Sequence, residues 1–172
     1  MSAMAELKGL DKIEILLNSF LQEYECTVRL ESDFAYYSAS NVIAYSFCCS
    51  EVGDMLFTEV ITHLCPEIHC DIFLWSFLHE LGHHETIDDL EDDEIMYCFN
   101  EKRRIEQEQE NCKNVKQKID IARQYFILPD ELAATQWAVN YMRAHTEEMR
   151  AFWEELKPEI INFYKLNQVE VM

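Results

Sequence analysis

Ile72-Phe73-Leu74-Trp75-Ser76-Phe77-Leu78 runs directly into His79-Glu80-Leu81-Gly82-His83, so an apolar segment ends in a glutamate between two histidines. The composition of this segment is compatible with a helix, which we predict over Cys70–Glu85. Residues four apart on a helix share one face, so the imidazoles of His79 and His83 should lie one turn apart. A glycine inside a helix is unfavourable by about 1 kcal/mol relative to alanine, which indicates that another element packs closely on the turn of Gly82.

The five residues from His79 to His83 fit the pattern H-E-x-x-H. Two imidazoles on one helix face can both bind one Zn²⁺ ion. Glu80 is placed to contact a water on the metal rather than the metal itself. The motif therefore predicts metal-assisted hydrolysis with Glu80 as the general base. The alternative interpretation is a pair of surface histidines on an acidic helix.

The composition indicates one globular, helix-rich domain over residues 1–172. Hydrophobic residues make up 49% of the chain, and its 172 residues suffice for a sizeable core. Only three glycines and three prolines occur, which disfavours a sandwich or barrel with many tight turns. The net charge of −19 opposes direct binding to nucleic-acid phosphates.

The cysteines and the N-terminus predict a cytoplasmic location. The seven cysteines are an odd number without a C-x-x-C pair, which favours reduced thiols, many of them buried. We find no secretory signal pattern and no apolar run long enough for a membrane span. The segment 63–70 is rich in histidine and cysteine, but its spacing matches no standard zinc pattern.

The order of elements predicts an α+β fold, mostly helical, with a small antiparallel or mixed sheet of about three strands near the N-terminus. The predicted helices are Ala5–Phe20, Gly53–Leu64, Cys70–Glu85, Glu94–Phe126 (whole, or broken near Asn111–Asn114), Asp130–His145 and Thr146–Tyr164, the last kinked near Pro158. The predicted strands are Glu25–Glu31, Phe34–Tyr37 and Val42–Cys49, with a hairpin turn over Ser38–Asn41.

A catalytic zinc ion needs a third protein ligand, and the sequence offers several. Asp89 follows His83 at the spacing of one known scheme, but Thr86 stands where that scheme has a glycine for a sharp turn. The other scheme uses a glutamate from a later helix. Glu131 fits this scheme, because Ala134 and Ala138 would let its helix pack tightly against the motif helix. Glu94 and Glu101 remain alternatives.

A helix, a small sheet, an H-E-L-G-H helix and a later E-x-x-A-x-x-x-A helix resemble the gluzincin-like metallopeptidases, and most closely the ImmA/IrrE family. This resemblance rests on His79, Glu80, His83 and the segment Glu131–Ala138. It implies a zincin-like domain in which His79, His83 and Glu131 bind zinc and Glu80 is the base. Gluzincins often carry an aspartate where this chain has Thr135, which can still form a hydrogen bond.

From these residues and this resemblance we expect a zinc-dependent endopeptidase that acts on a cytoplasmic protein. Members of the family typically cleave repressors of mobile elements or stress genes, so a regulatory protein of a phage or mobile element is the expected kind of substrate. The alternative is a catalytically weak or inactive zincin-fold protein whose acidic surface binds and sequesters a basic partner.

Overall fold

The computed structural model of the chain describes residues 9–31, 36–38, 42–46 and 72–167. Six helices and three strands lie in these ranges. The helices are α1 (Leu10–Phe20), α2 (Ile72–Thr86), α3 (Asp92–Asn111), α4 (Val115–Phe126), α5 (Pro129–Ala144) and α6 (Thr146–Asn167). The strands are β1 (Thr27–Glu31), β2 (Tyr36–Ser38) and β3 (Val42–Ser46). The predicted helix Gly53–Leu64 lies outside the described residues, as does most of the predicted turn.

The described part of the chain is mostly helical with one small sheet, which agrees with the predicted α+β class. The strand order is β1-β3-β2. β1 runs parallel to β3, with Val28 opposite Ile43, whereas β2 runs antiparallel to β3. The sheet is therefore mixed.

Local sequence signals explain where the helices begin and end. The long polar segment is two helices rather than one, separated at residues 112–114. The side chain of Asn114 accepts a hydrogen bond from the backbone of Gln117 and so caps α4. At the start of α3, Glu91 and Glu94 form a reciprocal capping box.

Several predicted boundaries shift. Helix α5 begins at Pro129 rather than Asp130, because proline suits the first turn of a helix, where its missing N–H is not needed. Strand β1 begins at Thr27 rather than Glu25, because a 3₁₀ turn over Leu21–Glu23 extends α1 toward the strand. Helix α6 continues through Pro158 to Asn167.

Helix α2 is the centre of the core. Every residue from Phe73 to Gly82 on this helix is buried, as expected for a helix that is covered on all sides. It packs most extensively on α5 and also contacts β2 and β3. Fully buried side chains around it come from α1, β3, α5 and α6; they include Ile13, Leu17, Ile43, Ala138 and Leu156.

None of the helices in the described ranges combines the length and the apolar composition that a membrane crossing requires.

Candidate metal centre

The site lies where the motif helix α2 meets α5. A Cβ atom built on Gly82 would stand 2.5 Å from the carbonyl oxygen of Ala134, so the two backbones are nearly in contact. Ala134 and Ala138 are completely buried between the helices. The predicted close packing of small residues on the glycine turn is thus confirmed. It places the first turn of α5 beside the histidines of α2.

The side chains of His79, His83 and Glu131 converge at this contact. The Nε2 atom of His79 lies 3.0 Å from Oε2 of Glu131, and Nε2 of His83 lies 3.3 Å from Oε1 of the same carboxylate. One possible ligand atom from each residue lies within 4.8 Å of the others. His79 and Glu131 are 2% and 3% exposed, and His83 is 11% exposed. Two imidazole nitrogens and one carboxylate form the donor set that catalytic zinc commonly takes, so these residues fit the ion.

Glu131 is a buried carboxylate held in its charged form. Burial alone would raise its pKa, but the hydrogen bonds to His79 and His83, together with the charges of these histidines, hold the pKa well below its ordinary value. An ionised carboxylate is the form that binds a metal ion. Glu131 therefore faces the two histidines as a carboxylate.

Thr135 contacts the other ring nitrogen of His79. Its hydroxyl oxygen lies 3.3 Å from Nδ1, one helical turn after Glu131 on α5. A partner on the second ring nitrogen fixes the orientation of a ligand histidine. Thr135 is therefore placed to orient the ring of His79.

Glu80 lies next to His79 on α2 and is 7% exposed. It is not one of the three converging ligands among the described residues. Burial raises the pKa of the Tyr125 phenol, and the charge of Glu131 raises it further, with a smaller contribution of the same sign from Glu80. The charges of Glu131 and Glu80 therefore both act on the Tyr125 phenol.

Lys102 also contacts the site, and its sequence pattern did not lead us to predict it. Its Nζ atom contacts Oε1 of Glu131, lies 2.5 Å from Oδ2 of Asp130, and sits 4.9 Å from the centre of the Tyr125 ring. Burial opposes the charge of Lys102, but Glu131 and other neighbours raise its pKa above the ordinary value. Helical spacing contains a signal for it, because Lys102 follows the buried Cys98 by four residues and precedes the buried Ile105 by three.

The other ligand candidates lie elsewhere. Glu94 accepts a hydrogen bond from the backbone of Glu91 at the start of α3, and Glu101 forms an ion pair with Arg104 at 2.9 Å. Asp89 is exposed in the 3₁₀ turn after α2. None of them joins the cluster that the described residues form around His79 and His83.

No match to this chain was found among protein-family models, curated proteins or solved structures.

Proposed function

We propose that this protein is a zinc-dependent endopeptidase. The observation that carries the proposal is the convergence of His79 and His83 with Glu131, which lies 48 residues beyond the motif and on a different helix. A chance pair of surface histidines would not require burial, whereas His79 and Glu131 are both almost completely buried. Buried charged groups are rare unless they are paired or bind a metal.

Each residue has a distinct role in the proposed reaction. A bound zinc ion would supply Lewis acidity, which polarises the substrate carbonyl and makes water a better nucleophile. His79, His83 and Glu131 would hold the ion, and Thr135 would orient the ring of His79. Glu80 accepts the proton of the attacking water and then delivers it to the leaving amine nitrogen.

The gluzincin-like assignment, with the ImmA/IrrE family as the nearest resemblance, is part of the same proposal. Its support is the order of elements, in which a helix and a small sheet precede the motif helix and the Glu131 helix follows later. A second support is the hydroxyl of Thr135 at His79, which takes the place of the usual carboxylate. We infer the substrate class from this resemblance: a protein that regulates a phage or mobile element.

The test combines metal analysis with peptide cleavage. Purified wild-type protein and the variants Glu80→Gln, His79→Ala and Glu101→Gln are loaded with zinc, analysed for bound metal, and incubated with a mixed peptide library that is read by mass spectrometry. We expect one zinc ion per wild-type chain and cleavage of library peptides. Glu80→Gln should keep the ion and lose cleavage by a factor of about 10² to 10⁴, the usual contribution of a general base.

The other two variants control for the assignment. His79→Ala should lose zinc, whereas Glu101→Gln, which removes a carboxylate from neighbouring α3, should keep both zinc and activity. Retained cleavage in Glu80→Gln would contradict the proposed role of Glu80. A wild-type chain that binds no zinc would contradict the proposal as a whole.

The net charge of −19 favours a second candidate function, the sequestration of a basic partner by an acidic zincin-fold protein. The same variants separate the two functions once a partner is known. If wild type alone cleaves the partner, the protein is a protease. If wild type and Glu80→Gln inhibit the partner equally without cleaving it, the protein is a binder.

A further inference from the structure

Lys102 shares the carboxylate of Glu131 with the two histidines. Oxygen Oε2 faces His79, whereas Oε1 faces both His83, at 3.3 Å, and the ammonium of Lys102. The lysine comes from α3, so it reaches the site from a helix that supplies no ligand. Its side chain is 21% exposed, and solvent therefore screens its charge only in part.

Most groups that hydrogen-bond to a metal ligand strengthen metal binding, whereas a cation in the position of Lys102 should weaken it. Carboxylates and carbonyls around a metal centre accept hydrogen bonds from its ligands and make those ligands more basic. An ammonium group draws electron density from the carboxylate and repels a divalent ion. Building on the proposed function, we propose that Lys102 lowers the affinity of the His79–His83–Glu131 centre for zinc, and that Asp130 limits this effect by sharing the ammonium.

The opposite role would be that Lys102 raises the affinity by positioning Glu131. Glu131 does not need Lys102 for its position, because several other contacts already fix it. Its backbone lies in the first turn of α5, where the close contact of Ala134 with Gly82 sets the helix position, and its side chain is 3% exposed. The charge of Lys102, by contrast, acts on the ion whichever way Glu131 is held. Repulsion should therefore outweigh positioning.

Asp130 is the second anion for Lys102. Its Oδ2 lies 2.5 Å from the lysine nitrogen, and its Oδ1 accepts a hydrogen bond from the backbone N–H of Glu131 at 3.0 Å. It thus holds part of the ammonium charge away from Glu131 without being one of the three converging ligands. If Asp130 loses its charge, Lys102 should depend more on Glu131, and the ligand should become weaker.

The experiment measures zinc affinity by competition with a chelating dye. Four chains are compared with wild type: Lys102→Met, Asp130→Asn, the double variant, and Lys116→Met. The last removes the same charge from an exposed position on α4 and serves as the matched control. Melting temperatures with zinc and with a chelator provide a second readout that does not depend on catalysis.

We expect Lys102→Met to bind zinc about tenfold tighter or more, a change as large as the loss that mutation of an outer partner usually causes but of opposite sign, because a repelling charge is removed. Asp130→Asn should bind about tenfold weaker, and this loss should shrink in the Lys102→Met background, because Asp130 acts through the lysine. Without zinc, Lys102→Met should melt lower than wild type, because Glu131 loses a partner, and zinc should raise its melting temperature by more than in wild type. Lys116→Met should match wild type in both measurements.

Unchanged or weaker zinc binding by Lys102→Met would overturn the inference while leaving the proposed function intact. If that variant does not fold, Asp130→Asn decides, because asparagine keeps the shape and the backbone hydrogen bond. Affinity equal to or above wild type in Asp130→Asn would then overturn the inference. A wild-type chain that binds no zinc would instead remove the proposed function itself, so the two failures are distinct.

Discussion

Gly82 in α2 lies against Ala134 in α5 with no room for a side chain between them, since a Cβ on Gly82 would stand 2.5 Å from the Ala134 carbonyl oxygen and 2.9 Å from its Cα. Gly82 immediately precedes His83, and Ala134 is one turn after Glu131. The same helix contact that buries the core therefore sets the distance between the histidines and the glutamate. Core packing and site geometry depend on one residue pair.

We expect Gly82→Ala to lower the free energy of unfolding by about 1–3 kcal/mol, the usual effect of overpacking. Alanine gains about 1 kcal/mol in helix propensity, but the clash is with backbone, which cannot rotate away as a side chain can. Displacement of α5 should also move Glu131 relative to the two histidines and so weaken zinc binding by the site. Denaturant unfolding and zinc titration measure the two effects, with the exposed Gln136→Ala on α5 as the control. A variant as stable as wild type would show that α2 and α5 can move apart without lowering the free energy of unfolding.

The residues on the two sides of the Gly82–Ala134 contact are the part of the site that the sequence predicts best. H-E-x-x-H predicts His79 and His83 as candidate ligands because they lie one turn apart on a single helix. Glu131 follows from a weaker pattern, in which a helix start with alanines one and two turns later matches a glycine on the motif helix. Both patterns work because helical periodicity and side-chain size are local properties of the sequence.

A second prediction concerns the hydroxyl of Thr135, which lies 3.3 Å from Nδ1 of His79. Thr135→Val keeps the shape of the side chain and removes the hydrogen bond. We expect zinc affinity to fall about tenfold, because the ring of His79 loses the partner that orients it. Dye competition measures the affinity. Thr135→Ser, which retains the hydroxyl, should stay close to wild type; equal affinities in all three chains would exclude an orienting role.

The side-chain amide of Asn18 on α1 forms hydrogen bonds with the backbone of strand β1. Its side-chain oxygen accepts from the N–H of Val28 at 2.9 Å, and its side-chain nitrogen donates to the Val28 carbonyl at 3.2 Å and to the Glu14 carbonyl at 2.9 Å. In the described sheet, β1 lies at one edge, with β3 on its other side. The asparagine thereby satisfies backbone groups of Val28, whose own side chain is buried.

We expect Asn18→Ala to lower the free energy of unfolding by about 1–3 kcal/mol, because backbone groups of Val28 lose their partner. Asn18→Asp keeps the acceptor for the Val28 N–H but loses the donor, so its stability should fall between alanine and wild type. Chemical denaturation of these variants, with the exposed Ser19→Ala as control, provides the measurement. A change of less than about 0.5 kcal/mol in Asn18→Ala, the range of ordinary surface substitutions, would mean that water replaces the amide without loss.

The features that the sequence did not predict depend on contacts between distant segments. Nothing local distinguishes Asn18 from any other polar residue of an amphipathic helix, because its partner is a strand that folds against it. The parallel pairing of β1 with β3 likewise depends on how the chain crosses the sheet rather than on the pattern of either strand. Lys102 does carry a faint signal, since it occupies the buried face of α3, but its partner Glu131 lies 29 residues away.

The free cysteines of the described residues give a last prediction, based on their different environments. Cys26 and Cys98 are buried, whereas Cys112 is partly exposed between α3 and α4. Burial, assisted by the charge of Glu85, raises the pKa of the Cys26 thiol to about 11, and burial also raises the pKa of Cys98.

Only the thiolate reacts with alkylating reagents, and at about pH 8 a thiol with a pKa of about 11 is ionised in roughly one molecule in a thousand. Of these three cysteines we therefore expect iodoacetamide to modify Cys112 first, with Cys26 reacting slowly and faster as the pH rises toward 11. Peptide mapping by mass spectrometry assigns each modified position, and a Cys112→Ser variant should lose the fast phase at that peptide alone. Modification of Cys26 as fast as Cys112 in the folded protein would contradict the burial of Cys26 directly before β1.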